Sequence, residues 1–133
     1  RGGDEINIIK AGANYGWPEV THGINYNGSK ITDQTSREGM QQPDWVWVPS
    51  IAPSGMAFVT SSKYPQWQGH VLVGAMKFAH LVLVELDGDK VTGHSKLFEG
   101  VGRVRSIATH PNGDLYLGID GMGIYRIVPN GKI

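Results

Sequence analysis

The 133-residue chain has no cysteine. Disulfide frameworks and thiolate metal sites are thereby excluded, and cysteine usage leaves the compartment open. It has no surplus of either charge: 12 basic and 12 acidic residues give a formal net charge of zero. A broad basic face for nucleic acid or an anionic membrane surface is therefore not expected. Long apolar runs are missing too. Leu81-Val82-Leu83-Val84 is strand-sized, far from the ~20 residues that cross a bilayer, so no membrane span is expected. No helical period persists over ten residues. The five histidines, His22, His70, His80, His94 and His110, form no His-x-His or His-x-x-x-His pair, which argues against a zinc or iron centre. The chain opens at Arg1 with neither methionine nor a signal-peptide pattern, and reads as a truncated or processed start.

What the chain has in excess is glycine. Nineteen in 133 is about twice the usual ~7%. The glycines fall between short β-branched and aromatic runs, as tight turns between many short strands require. A repeat is visible in the second half. Gly69-His70-Val71-Leu72-Val73-Gly74 is echoed 44 positions on by Gly113-Asp114-Leu115-Tyr116-Leu117-Gly118. The next strands echo as well: Leu81–Leu86 runs into the turn Asp87-Gly88-Asp89-Lys90, and Ile124–Val128 into Pro129-Asn130-Gly131-Lys132. A four-stranded propeller blade repeats at roughly 40–50 residues. One blade is predicted over 55–99, with strands near 55–60, 70–75, 80–86 and 95–99. A last blade is predicted over 104–128, with strands near 104–109, 114–119 and 123–128 and its fourth strand missing. The expected fold is all-β, a partial β-propeller. An all-β sandwich or meander with Asn-Gly and Asp-Gly hairpins fits the same turns.

The first half differs. Residues 1–10 are predicted to supply one strand, over Glu5–Lys10, belonging to a preceding blade. Residues 11–54 form a loop region with a short strand at Trp45–Trp47. Ala11–Asp44 is rich in Gly, Asn, Thr, Ser and Gln, yet it holds Tyr15, Trp17 and Tyr26. These aromatics argue for an ordered loop excursion near the N-terminus over disorder.

Several residues stand out for their chemistry. Arg103 and Arg105 are two apart on a predicted strand and so share one face. Two neighbouring guanidiniums repel each other unless an anion sits between them. Lys77 closes the strand 70–75, where it can reach a shared face. The same three residues also fit a solvated basic edge. Trp45 and Trp47 fit either a stacking wall or core packing. Trp17 and Trp67 read as packing residues, and His110, before Pro111-Asn112-Gly113, as a turn residue. Glu5 alone reads as a surface acid and Tyr26 alone as a loop residue.

Four stretches carry a family resemblance. They are Gly2-Gly3-Asp4-Glu5-Ile6-Asn7-Ile8-Ile9 running to Asn14-Tyr15-Gly16-Trp17-Pro18; Gly23-Ile24-Asn25-Tyr26; Pro49-Ser50-Ile51-Ala52-Pro53-Ser54-Gly55-Met56; and Arg103-Val104-Arg105-Ser106-Ile107 with Pro111-Asn112-Gly113-Asp114-Leu115-Tyr116. In this order the chain resembles the C-terminal part of the glucose/sorbosone dehydrogenase family, above all its soluble aldose sugar dehydrogenase branch. That resemblance implies a quinoprotein oxidoreductase, a periplasmic or secreted six-bladed propeller that uses pyrroloquinoline quinone (PQQ) and calcium to oxidise aldoses to lactones. This chain would be a fragment supplying about two blades. The resemblance also implies cofactor contacts from Tyr26, Lys77, Arg103 and Arg105, and a calcium site at Glu5 and Tyr15, the latter through its backbone carbonyl. The family's catalytic histidine and its main cofactor-calcium ligands fall outside this chain, so no catalytic residue is assigned to it. The expected partners are an aldose substrate in the complete enzyme and either the missing N-terminal half of the propeller or other copies of the chain. A non-catalytic module that self-assembles through open strand edges is the alternative, and a lactonase-like or scaffold propeller a third.

Overall fold

A computed structural model describes residues Arg1–Asn130. Gly131 and Lys132 of the second repeat's turn lie outside the described residues. The chain divides into two compact units, Arg1–Ile51 and the part from Ala52 onward. All regular structure among the described residues is β.

The first unit holds β1 (Asp4–Ile6) and β2 (Trp45–Trp47), paired antiparallel with Glu5 opposite Val46. The strand expected over Glu5–Lys10 ends early. Beyond Ile6 the backbone is satisfied by side chains in place of a ladder: Ile8 N donates to Asp44 Oδ2 at 2.7 Å, and Lys10 N to the Tyr15 hydroxyl at 2.7 Å. The stretch 11–44 is an ordered excursion held by the same means. Thr32 Oγ1 donates to Glu19 O, Arg37 pairs with Glu19 at 2.7 Å, and Gly16 N donates to Asn14 Oδ1. Gly3 and Gly23 let two backbone segments touch. Gly3 has φ +74°, and a Cβ there would overlap the Gly23 backbone, so only glycine fits.

The second unit contains two antiparallel meanders. β3 (Pro53–Phe58), β4 (Val71–Ala75), β5 (His80–Asp87) and β6 (Lys90–Leu97) form a four-stranded sheet in sequence order. β7 (Val104–Thr109), β8 (Leu115–Ile119) and β9 (Gly123–Ile127) form a three-stranded one. The sheets meet through β3, β4 and β7. Their shared core comprises Val59, Tyr64, Leu72, Leu81, Leu83, Val104, Ile107, Leu115, Leu117, Ile119 and Ile127. β4 is buried along its whole length, which explains its continuous apolar run where a half-exposed strand would alternate. This is a partial β-propeller. The last strand of the first sheet begins at Lys90, directly after the Asp87–Lys90 turn, and not near residue 95.

Two polar groups lock the three-stranded sheet. The Tyr64 hydroxyl donates to Ile127 O at 2.7 Å and accepts from Leu115 N at 2.9 Å. Asp114, buried, takes Lys63 Nζ at 2.9 Å, Arg126 Nη1 at 3.3 Å and Asn112 Nδ2 at 3.2 Å. The Lys63 hydrogen bond, helped by Arg126 and Asn112, holds the Asp114 carboxyl below the usual carboxylate range, although burial pushes it upward. A depressed folded-state pKa gives stability that is present above the unfolded value, ~3.9, and is lost as pH falls through the lower folded value. Asp114→Asn should therefore flatten the acid limb of the stability curve. Denaturant melts from about pH 7 to about pH 2 check this, and parallel curves for the two proteins would refute it.

Trp67 packs as expected, stacked on Tyr64 at 5.7 Å and edge-on to Phe98 at 6.1 Å. Trp47 is buried, so core packing accounts for it. Trp17 corrects the sequence expectation: it is 69% exposed, and its indole is not a packing residue. His110 is a turn residue, its carbonyl accepting from Gly113 N and its Nδ1 from Asn112 N.

Candidate functional site

The second unit brings basic side chains to the place where β4 ends and β7 begins. Gly74, next to last in β4, lies against Val104, the first residue of β7. A Cβ on Gly74 would meet Val104 Cγ1 at 2.9 Å. Ser54 of β3 sits between the two strands, its hydroxyl 2.6 Å from Val104 O and 3.2 Å from Gly74 O. Lys77 follows β4 by two residues, and Arg103 and Arg105 flank Val104.

Lys77 is exposed and its ammonium stands 5.0 Å from the Phe78 ring centroid, a cation–π contact. Phe78 in turn stacks on the buried His80 at 6.1 Å, and His80 Nδ1 lies 3.1 Å from Phe78 O. The lysine thus rests on a fixed ring. Among the described residues it has no carboxylate partner within ion-pair distance.

The two arginines are not spaced on a regular strand. Arg103 precedes β7, and the β7–β8 register shifts between Val104 (opposite Ile119) and Ser106 (opposite Gly118). Arg105 is the extra residue of a β-bulge. The burial pattern records this: Val104 and Ile107 are buried, with Arg105 and Ser106 both exposed between them. Both guanidiniums nevertheless converge, because Asp120 draws them together. Its Oδ2 takes Arg105 Nη2 at 3.1 Å and Arg103 Nε at 3.4 Å. The anion expected between the two charges is supplied by the chain itself. The Arg105 hydrogen bond, with Arg103 behind it, holds the Asp120 carboxyl below its usual range against partial burial. Two guanidiniums therefore share one carboxylate, which leaves this pair with a net positive charge. Sequence reasoning missed Asp120, Phe78 and Ser54. Asp120 was recoverable from hairpin register, since Ile119 pairs with Val104.

In the first unit, Glu5 Oε2 accepts from Asn7 Nδ2 at 3.2 Å. Asn7 Oδ1 and Asp4 Oδ2 are buried with no hydrogen-bond partner. The Tyr15 hydroxyl is committed, donating to Ile8 O at 2.8 Å and accepting from Lys10 N, which leaves its backbone carbonyl as its available oxygen. Among the described residues no three His, Cys, Asp or Glu side chains are grouped as metal ligands. Tyr26 lies in a tight loop closed by the Ile24–Lys30 bridge and the Asn25 N to Ser29 O bond, with its side chain 90% exposed.

The antiparallel meanders define the class: a partial β-propeller, here with two arginines sharing one carboxylate where β7 begins. The sequence model of the glucose/sorbosone dehydrogenase family matches residues 1–126, and the chain belongs to that family. It is 46% identical over 120 residues to aldose sugar dehydrogenase YliI of Escherichia coli K12, covering 88% of this chain and 32% of that protein. A glucose dehydrogenase crystal structure superposes with a TM-score of 0.86 at 38% identity, over 95% of this chain and 37% of the other. The PQQ-bound form of aldose sugar dehydrogenase from Streptomyces coelicolor superposes with a TM-score of 0.64 at 27% identity, over 92% of this chain and 35% of the other. The chain thus spans about a third of the length of these relatives.

Proposed function

We propose that this chain is part of a PQQ- and calcium-dependent dehydrogenase that oxidises aldoses to lactones. Lys77, Arg103 and Arg105 hold carboxylates of the cofactor. Glu5 and the Tyr15 carbonyl hold a calcium ion. The convergence of Arg103 and Arg105 beside the start of β7 carries the reading. PQQ is a flat quinone with three carboxylates, and when bound it takes up the two electrons that leave the sugar. The residues here fit such a group. Each guanidinium has five donors and spends one on Asp120 in this geometry, so donors remain for a ligand, and Lys77 adds a further cation on its aromatic rest. Bidentate forks and a point charge can together fix the plane of a rigid tricarboxylate.

The first unit fits calcium through its uncommitted oxygens. Calcium takes six to eight oxygen ligands, main-chain carbonyls among them. The unpartnered Asn7 Oδ1 beside Glu5, and Asp4 Oδ2 on the same strand, support a cation near β1. Asn7, hydrogen-bonded to Glu5, then joins Glu5 and the Tyr15 carbonyl as a proposed oxygen ligand. A periplasmic or secreted location, and an aldose and the remainder of a propeller as partners, belong to the same proposal.

A spectrophotometric titration of the protein with PQQ, with and without calcium, tests the reading. Saturable binding is expected, with calcium quenching or shifting tryptophan fluorescence near β1 and β2. Absence of binding, with scattering mass rising with concentration, would instead favour a module that assembles through its strand edges.

A further inference from the structure

Resting on the cofactor reading above, we infer that Asp120 is a positioning residue that holds Arg103 and Arg105 as one preformed carboxylate clamp. Exposed ion pairs contribute little to stability, and here the side chains of Arg103, Arg105 and Asp120 remain 53%, 55% and 41% exposed. Yet several local devices serve this one contact. The bulge removes Arg105 from the regular alternation of β7. Asp120 N donates to Arg103 O at 2.9 Å, tying the carboxylate's own backbone to the first arginine. Gly118 stands opposite Ser106 at the bulge, and its lack of a Cβ leaves space for the Ser106 hydroxyl. A single oxygen, Oδ2, takes both guanidiniums. This brings two like charges side by side and leaves their remaining donors to a ligand.

A carboxylate in an anion site has two opposing effects. Its charge repels an incoming anion, a long-range effect that salt screens. Its hydrogen bonds freeze two long side chains, which lowers the entropy lost on binding. Positioning is the larger effect once the first is screened.

The test uses the intact protein, PQQ as probe, and the variants Asp120→Asn and Asp120→Glu. In about 0.5 M salt, where the Debye length is only a few ångströms, Asp120→Asn should bind PQQ on the order of tenfold more weakly. Asp120→Glu, which keeps the carboxylate, should recover most of that loss. Asp120→Asn binding PQQ as tightly as the parent, or more tightly, in high salt overturns the inference. An independent readout is the arginine Nε–Hε NMR signals. The Arg103 signal should be shifted and protected from solvent exchange in the parent and in Asp120→Glu, and should move to the free-arginine position in Asp120→Asn. A parent signal already at that position also overturns the inference. A parent that binds no PQQ but loses the shifted signal on Asp120→Asn would sustain the clamp and sink the cofactor reading. A parent that binds PQQ, with neither readout moved by Asp120→Asn, would do the reverse.

Discussion

Arg105→Ala is expected to weaken PQQ binding by about 10- to 100-fold, the equivalent of one charge-assisted hydrogen bond at roughly 1.5–3 kcal/mol. The side chain is 55% exposed, so screening places the loss toward the lower end of that range at physiological salt. Arg103→Ala should act in the same direction. The double variant should lose more than the sum of the two. With one arginine left, Asp120 is still neutralised. With both gone, a bare carboxylate faces an anionic ligand. Groups that share a partner couple in this way. Arg105→Lys keeps the charge but loses the planar fork, and should fall between parent and Ala. PQQ absorbance titrations of the four variants measure all of this. An unchanged dissociation constant for Arg105→Ala would remove β7 from the cofactor site.

The fold of the second unit was largely legible because its signals are local. Apolar runs such as Val71–Val73 and Leu81–Val84 lie between glycine turns, and they recur at a blade-sized interval. β6 was read too short for an equally local reason: Lys90–Ser95 is polar, with an exposed–intermediate alternation, so this edge strand carries little apolar signature. The first unit was less legible. Its order comes from side chains meeting distant backbone, as when Asp44 receives Ile8 N across 36 positions, and no period announces such a bond. Trp17 shows the limit of composition: an indole is usually buried, and this one is not.

The candidate site divides along the same line. Lys77, Arg103 and Arg105 were visible as residue types at strand ends. The groups that orient them were not. Asp120 lies 15 positions from Arg105 and meets it only through hairpin register plus a bulge. Phe78 supports Lys77 only because the turn between β4 and β5 folds its ring against the ammonium. The charge carriers of a site are written in composition and spacing, while their supports depend on pairing. The same holds for the core, where the most exacting polar contact belongs to a residue that the repeat pattern passes over.

Tyr64→Phe should be the most costly of the conservative changes to stability. The hydroxyl serves two buried backbone groups, Leu115 N and Ile127 O, and these residues are register partners in the β8–β9 ladder. Removing one oxygen leaves a donor and an acceptor unsatisfied, at about 1–3 kcal/mol each. The phenyl ring still fills the site and can keep its stack on Trp67, so apolar burial is nearly unchanged and the loss reports the hydroxyl alone. A total of about 2–6 kcal/mol corresponds to a Tm lowered by roughly 10 °C or more for a unit of this size. Hydrogen exchange should localise the effect, with the Leu115 amide losing protection first. The three-stranded sheet also presents Arg103, Arg105 and Asp120, so a loosened β8–β9 pair should disturb the clamp by a route distinct from its direct removal. PQQ affinity should then fall with rising temperature in Tyr64→Phe well before it does in the parent. A variant with parental Tm and an undisturbed Leu115 amide would mean that water replaces the hydroxyl, and that the sheet closes without it.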